Sequence, residues 1–159
     1  LSHLQDRDQL EGILSRLGSI RSKKAIRKPV LVKISPDLNN DQIDDVIDLI
    51  IQYEMDGIIA TNTTITREGL TSEPDRVAMI GRGGLSGSPI RDRSTEIIRY
   101  IHKKTGGKLP IIGVGGIMSP EDAMDKLDAG ASLIQIYTGF VYEGPSIVRK
   151  INKAILNKV

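Results

Sequence analysis

The chain has 159 residues, 39% hydrophobic and 26% charged, with 22 basic against 20 acidic side chains and no cysteine. That composition suits one globular unit with a sizeable core. It excludes a disulfide framework and thiolate metal sites, and its charge is too balanced to make nucleic acid the principal partner.

In chain order, Leu10, Ile13, Leu14 and Leu17 fall on one stripe of a helix that Gly18 is placed to end. The basic run Arg21, Lys23, Lys24, Arg27 and Lys28 reads as a solvated turn, and Pro29 to Ile34 as a short strand. Asn39 and Gln42 form a capping box ahead of Ile43, Val46, Ile47, Ile50 and Ile51 at helical spacing, with Asp56-Gly57 as the stop. Gly57 to Thr61 is a second strand, followed by a polar, glycine-rich stretch to Pro89.

Ile97, Ile98 and Ile101 mark a further helix, closed by Gly106-Gly107, and Leu109 to Val114 is the third strand. Ser119 as cap with Pro120 at the first helical position opens a helix that Gly130 closes. Ser132 to Tyr137 is the last strand, and Pro145 starts a final helix packed through Ile147, Val148, Ile151 and Ile155. Strands that are apolar runs, each followed by a helix, predict a parallel α/β sheet buried on both faces. A complete (β/α) barrel needs about 250 residues, so four units amount to half of one. No apolar run approaches the ~20 residues of a membrane-spanning helix. The amino end has neither a signal peptide nor an initiator methionine, and Leu1 is expected to be an internal position of a longer chain.

Ligands of parallel α/β folds gather at the carboxyl ends of the strands. There stand Lys33, Ser35, Pro36 and Asp37, then Thr61, Asn62, Thr63 and Thr64, then Gly113, Gly115 and Gly116, and last Tyr137, Thr138 and Gly139. Alternation along Val30 to Ser35 puts Lys33 on the face opposite Val32 and Ile34, at the barrel mouth, as a strand-end lysine reaching water or as a fixed cation for a ligand. Thr-Asn-Thr-Thr makes either an ordinary turn or a set of donors and acceptors able to read an amide or imide edge. Gly83-Gly84-Leu85-Ser86-Gly87 and Gly113-Val114-Gly115-Gly116-Ile117 allow close backbone approach to an anion. With Tyr137-Thr138-Gly139 they fit the phosphate site barrels build after their last strands.

His3 and His102 have no metal-ligand spacing and read as surface or helix-face residues, and no metal site is expected. Ser86 lacks the setting of a nucleophile elbow, and the glycines from Gly113 onward miss the dinucleotide fingerprint.

The segments Lys33-Ile34-Ser35-Pro36-Asp37, Ala60-Thr61-Asn62-Thr63-Thr64, Gly83 to Gly87, Ser94-Thr95-Glu96-Ile97-Ile98, Gly113 to Ile117 and Gly130 to Tyr137 resemble, in this order, the dihydroorotate dehydrogenases, most closely their membrane-associated, quinone-reducing class. The resemblance runs from about Leu1 to the last helix. It implies the C-terminal half of a TIM (β/α)8 barrel, residues 1–159 being part of one FMN-binding domain whose N-terminal half is absent. It implies Lys33, Thr61, Gly87, Gly116, Tyr137 and Thr138 as FMN contacts, and Asn62 and Thr63 as ligands of dihydroorotate or orotate. The base is then a serine upstream of Leu1, and the chain by itself is expected to be inactive and to recruit its missing half. The implied reaction is FMN-dependent oxidation of dihydroorotate to orotate in pyrimidine biosynthesis, with a quinone acceptor, at the cytoplasmic face of a membrane. Two other readings are a phosphate-binding barrel enzyme without flavin and a noncatalytic half-barrel association module.

Overall fold

The computed structural model describes residues 5–158. Helix α1 spans Arg7–Arg21 and buries Leu10 and Leu14. It runs through Gly18 instead of ending there. Gly18 lies beside Tyr53, where a Cβ would rest in ordinary contact 3.7 Å from the carbonyl oxygen, so neither a turn nor close packing requires glycine here. The next residues are tied down by charge, Arg21 donating to Asp56 at 2.5 Å and Arg27 pairing with Glu54.

Strand β1 is Leu31–Ile34. Helix α2, Asn40–Gln52, starts at the expected capping box, in which Asn39 Oδ1 accepts from the Gln42 amide at 2.9 Å and Gln42 Oε1 from the Asn39 amide at 3.0 Å. It buries Ile43, Val46, Ile47 and Ile50 but leaves Ile51 63% exposed, off the stripe. It also ends before Asp56-Gly57, through Tyr53 and a left-handed Glu54.

Strand β2 is Gly57–Ala60. The glycine-rich stretch after it holds a helix that the apolar pattern does not announce, α3 at Pro74–Ile80, which buries no residue. A 3-10 turn at Ser88–Ile90 leads directly into α4, Arg91–Lys104. Then come β3 (Ile111–Val114), α5 (Pro120–Asp128), β4 (Leu133–Gln135), α6 (Thr138–Glu143) and α7 (Ser146–Lys158). Ser119 caps α5 by accepting from the Asp122 amide. In α7, Ile147 and Ile151 are buried and Val148 is 42% exposed, so the packed stripe is narrower than the spacing predicts.

The four strands are parallel and ordered β1-β2-β3-β4. One face carries Val32, Ile34, Ile58, Ala60 and Ile111, all buried in a single core with Ile43, Ile50, Ile97, Ile98 and Ile101. Each such side chain contributes about 1.5–3 kcal/mol by leaving water. The other face is not covered. Register places Lys33, Ile59, Ile112 and Leu133 in one row across it. Lys33 is exposed, Ile59 and Ile112 are half-buried, and Leu133 is 63% exposed. The expectation of a sheet buried on both faces is therefore corrected for the described residues: the helices cover one side only. No helix among the described residues is long and apolar enough to cross a membrane.

Candidate functional site

The uncovered face and the carboxyl strand ends meet in one cleft. Lys33 points into it because its neighbours Val32 and Ile34 point into the core. Beyond β2 the backbone continues to bond to both flanking strands, the Thr61 amide to Val114 O and the Asn62 amide to Ile34 O, each at 2.7 Å. Thr61 is thereby buried, its hydroxyl donating to Asn62 O at 3.1 Å. Asn62 and Thr63 are thus anchored by backbone on three strand ends, with their side chains at the cleft.

Thr64 does something else. It is buried, its hydroxyl bonds Asp37, and its amide and carbonyl pair with Leu85 at 3.0 and 2.8 Å. Three of the four residues line the cleft, and Thr64 forms an antiparallel bridge with Leu85 instead of an ordinary turn. The pairing with Leu85 folds Gly83 to Gly87 back over the strand ends. Gly84 then packs on Thr63, where a Cβ would lie 2.1 Å from the Thr63 hydroxyl oxygen.

Past β3, Gly116 has φ +71°, and a Cβ there would lie 2.4 Å from Arg91 Cα and 2.6 Å from Arg91 N. Only glycine fits, because the obstacle is backbone and the conformation is left-handed. Asp122 holds the loop from its far side, Oδ2 accepting from the Met118 amide at 2.9 Å while Oδ1 receives Arg91 at 3.3 Å. The Arg91 guanidinium is held above its ordinary value by its bond to Asp92 and by the Asp122 charge. At the end of β4, Thr138 donates to Ser86 Oγ at 2.9 Å, tying the last loop to the Gly83 to Gly87 segment.

All eight residues expected from the sequence line one cavity of about 440 Å³: Lys33, Thr61, Asn62 and Thr63 on one side, Gly87, Gly116, Tyr137 and Thr138 on the other. Lys33 is its only charged side chain among the described residues, and it has no protein partner there. The remainder are amides, hydroxyls, glycine backbone and a few apolar walls, a size and make-up that fits a small-molecule ligand. A cation, neutral donors and no carboxylate suit an anionic ligand. Ser86, Gln135 and Ile117 join the lining. Sequence position could have suggested Ser86 through its glycine neighbours and Gln135 through its place in β4.

Ser35 and Gly113 do not reach the cavity. Ser35 bonds Asp37, Gly113 is packed under Ala131 and Lys126, and Pro36 and Asp37 line a separate groove with Arg93. His102 sits in the last turn of α4 with Gly130 against its ring, where a Cβ would fall 2.2 Å from Cγ. His3 lies outside the described residues.

The family profile described as dihydroorotate dehydrogenase matches residues 1–159. A dihydroorotate dehydrogenase (quinone) of Christiangramia forsetii is 49% identical over 158 residues, covering 99% of this chain and 45% of that protein. That of Trichodesmium erythraeum is 53% identical over 163 residues, covering 100% of this chain and 42% of that protein. The crystal structure of DHODH in complex with ferulenol from Eimeria tenella superposes with a TM-score of 0.87 at 34% identity, covering 98% of this chain and 45% of that one. The four β/α units therefore match part of a dihydroorotate dehydrogenase fold. The chain spans less than half the length of the curated relatives it matches.

Proposed function

The chain belongs to the dihydroorotate dehydrogenase family, and on that premise we propose that it contributes the flavin and part of the substrate site to an FMN-dependent oxidation of dihydroorotate to orotate in pyrimidine biosynthesis, with a quinone as acceptor. The observation that carries this reading is the convergence of all eight expected residues on one cavity whose only charged side chain among the described residues is Lys33.

The redox chemistry would be supplied by bound FMN, as acceptor for the electrons of dihydroorotate and as donor to the quinone. The protein binds, orients and tunes. Gly87 and Gly116 present backbone free of side chains, and with Tyr137 and Thr138 they hold the phosphate end. Lys33 places a fixed positive charge at the pyrimidine end, where negative charge accumulates on reduction, and Thr61 is a second flavin contact there. Asn62 offers both a donor and an acceptor to the ring amide edge of dihydroorotate, and Thr63, braced by Gly84, supplies a hydroxyl. We assign the proton-accepting serine to a segment outside the 159 residues, an N-terminal half that would complete the barrel over the open sheet face. The 159-residue chain by itself is then inactive and holds flavin weakly. Because quinones partition into bilayers, the complete enzyme works as a peripheral protein at the cytoplasmic face of a membrane.

The test is dihydroorotate-dependent reduction of a soluble quinone analogue by the full-length gene product, with the bound flavin identified after release. Activity lost in Lys33→Met with the fold retained supports the proposal. A purified protein that takes up no flavin removes it in favour of a phosphate-binding barrel of other chemistry.

A further inference from the structure

Beneath the Gly115-Gly116 loop lies a buried cation that the proposed reaction does not use. Lys126, in the last turn of α5, is completely buried. Its stem passes Gly113, where a Cβ would approach Lys126 Cβ to 3.2 Å. Its ammonium donates to Arg91 O at 2.6 Å and to Thr95 Oγ1 at 2.5 Å, both in the first turn of α4. Neither acceptor is charged. Thr95 in turn donates to the same carbonyl at 3.0 Å.

Arg91 is the residue against whose Cα and N the backbone of Gly116 is packed. It is also the residue whose guanidinium reaches Asp122, the acceptor for Met118 at the other end of the loop. Lys126 therefore anchors Arg91, which meets the loop after β3 at Gly116 and, through Asp122, at Met118. Burial depresses the lysine to about 8, against the raising influence of Asp122, Asp92 and Asp125, while Arg91 depresses it further. An enclosed ammonium held only by neutral oxygens costs stability that a methionine of similar length would not. Fold stability alone does not explain a lysine here.

We infer that Lys126 is a positioning residue for the anion cradle: it fixes Arg91, and through it Gly116, and its ammonium stands as a positive charge behind the loop that receives a phosphate. The inference rests on the reading of that loop as the flavin phosphate site. It goes beyond that reading by making phosphate discrimination depend on a side chain that does not line the cavity.

The experiment compares FMN with riboflavin, which lacks the phosphate, by flavin fluorescence quenching on the apo form of the full-length gene product and of Lys126→Met. The expected result is a drop of about tenfold in the preference for FMN over riboflavin, equal to ~1.4 kcal/mol, with riboflavin affinity unchanged. A folded variant that keeps the wild-type preference overturns the inference. So does equal weakening toward both flavins, the mark of a purely structural lysine. If Lys126→Met does not fold, Thr95→Val removes one of the ammonium's two acceptors and should lower the preference in the same direction; no change in that ratio also overturns the inference. A wild-type protein that binds FMN no better than riboflavin refutes the phosphate-site reading itself, and this inference falls with it.

Discussion

Replacing Gly116 by alanine tests the anion cradle through backbone geometry alone. At φ +71° any side chain costs about 1–2 kcal/mol. The added methyl would also meet Arg91 Cα at 2.4 Å and Arg91 N at 2.6 Å. Those atoms belong to the start of α4 and cannot swing aside as a side-chain tip would, so relief requires moving the loop or the helix, at about 1–3 kcal/mol. The expected loss is therefore about 2–5 kcal/mol in urea denaturation of the full-length gene product, accompanied by loss of FMN binding. Gly83→Ala is the matched control, since a Cβ there meets nothing within 4 Å and an exposed position of this kind changes stability by no more than about 0.5 kcal/mol. A Gly116→Ala protein as stable as the Gly83→Ala control, with flavin retained, would refute the reasoning.

The same geometry dictates three further outcomes. Lys33→Met removes the only charge lining the described cavity; turnover should fall about 100-fold or more and the flavin midpoint potential should become more negative, and an unchanged potential in spectroelectrochemical titration would count against a charge-stabilising lysine. Asn62→Ala should raise the dissociation constant for orotate by about tenfold or more, as expected for loss of a hydrogen bond to a charged ligand, while leaving FMN content intact; equal loss of flavin would show that Asn62 instead supports the cofactor. Lys126 titrates at about 8 in the folded chain, below its ordinary 10.5. Both states carry the proton below pH 8, so the burial cost is complete there. Between about pH 8 and 10.5 the unfolded chain binds more protons than the folded one, and stability rises with pH by roughly 1 kcal/mol per unit from this group. Tyr53 and Tyr100 are both raised by their carboxylate partners, Glu11 and Asp44, so the measurement is the difference between wild type and Lys126→Met, which should grow with pH in favour of the wild type.

The elements that were legible are those announced by local chemistry. Asn39 and Gln42 satisfy each other's amides without help from the rest of the fold, and Ser119-Pro120 opens α5 for the same kind of local reason. Helix α3 escaped because it buries nothing and so leaves no apolar period. Gly18 misled because a glycine inside a helix can be tolerated without ending it, and here a Cβ would make only ordinary contact with Tyr53. Ile51 and Val148 sit at helical spacing yet are 63% and 42% exposed, since a stripe's width is set by the neighbour it meets and not by its own period.

The sheet's open face was hidden for a related reason. Ile59, Ile112 and Leu133 are as apolar as the residues beside them, and composition cannot say whether a covering element is present. The site was more legible than the fold around it. Strand ends converge in any parallel sheet, so the residues just past each strand assemble the cavity one by one. Gly84 was legible as part of a glycine cluster, though not its contact with Thr63; Lys126 stayed invisible because it acts from behind the cavity, beneath Arg91, and its sequence neighbours carry no signal of the contact.

The most direct test of the proposed chemistry is an anaerobic titration of the purified full-length gene product with dihydroorotate, followed in the flavin absorbance. The account predicts bound FMN that dihydroorotate bleaches stoichiometrically and a quinone analogue restores. A bound flavin that dihydroorotate leaves oxidised would contradict it.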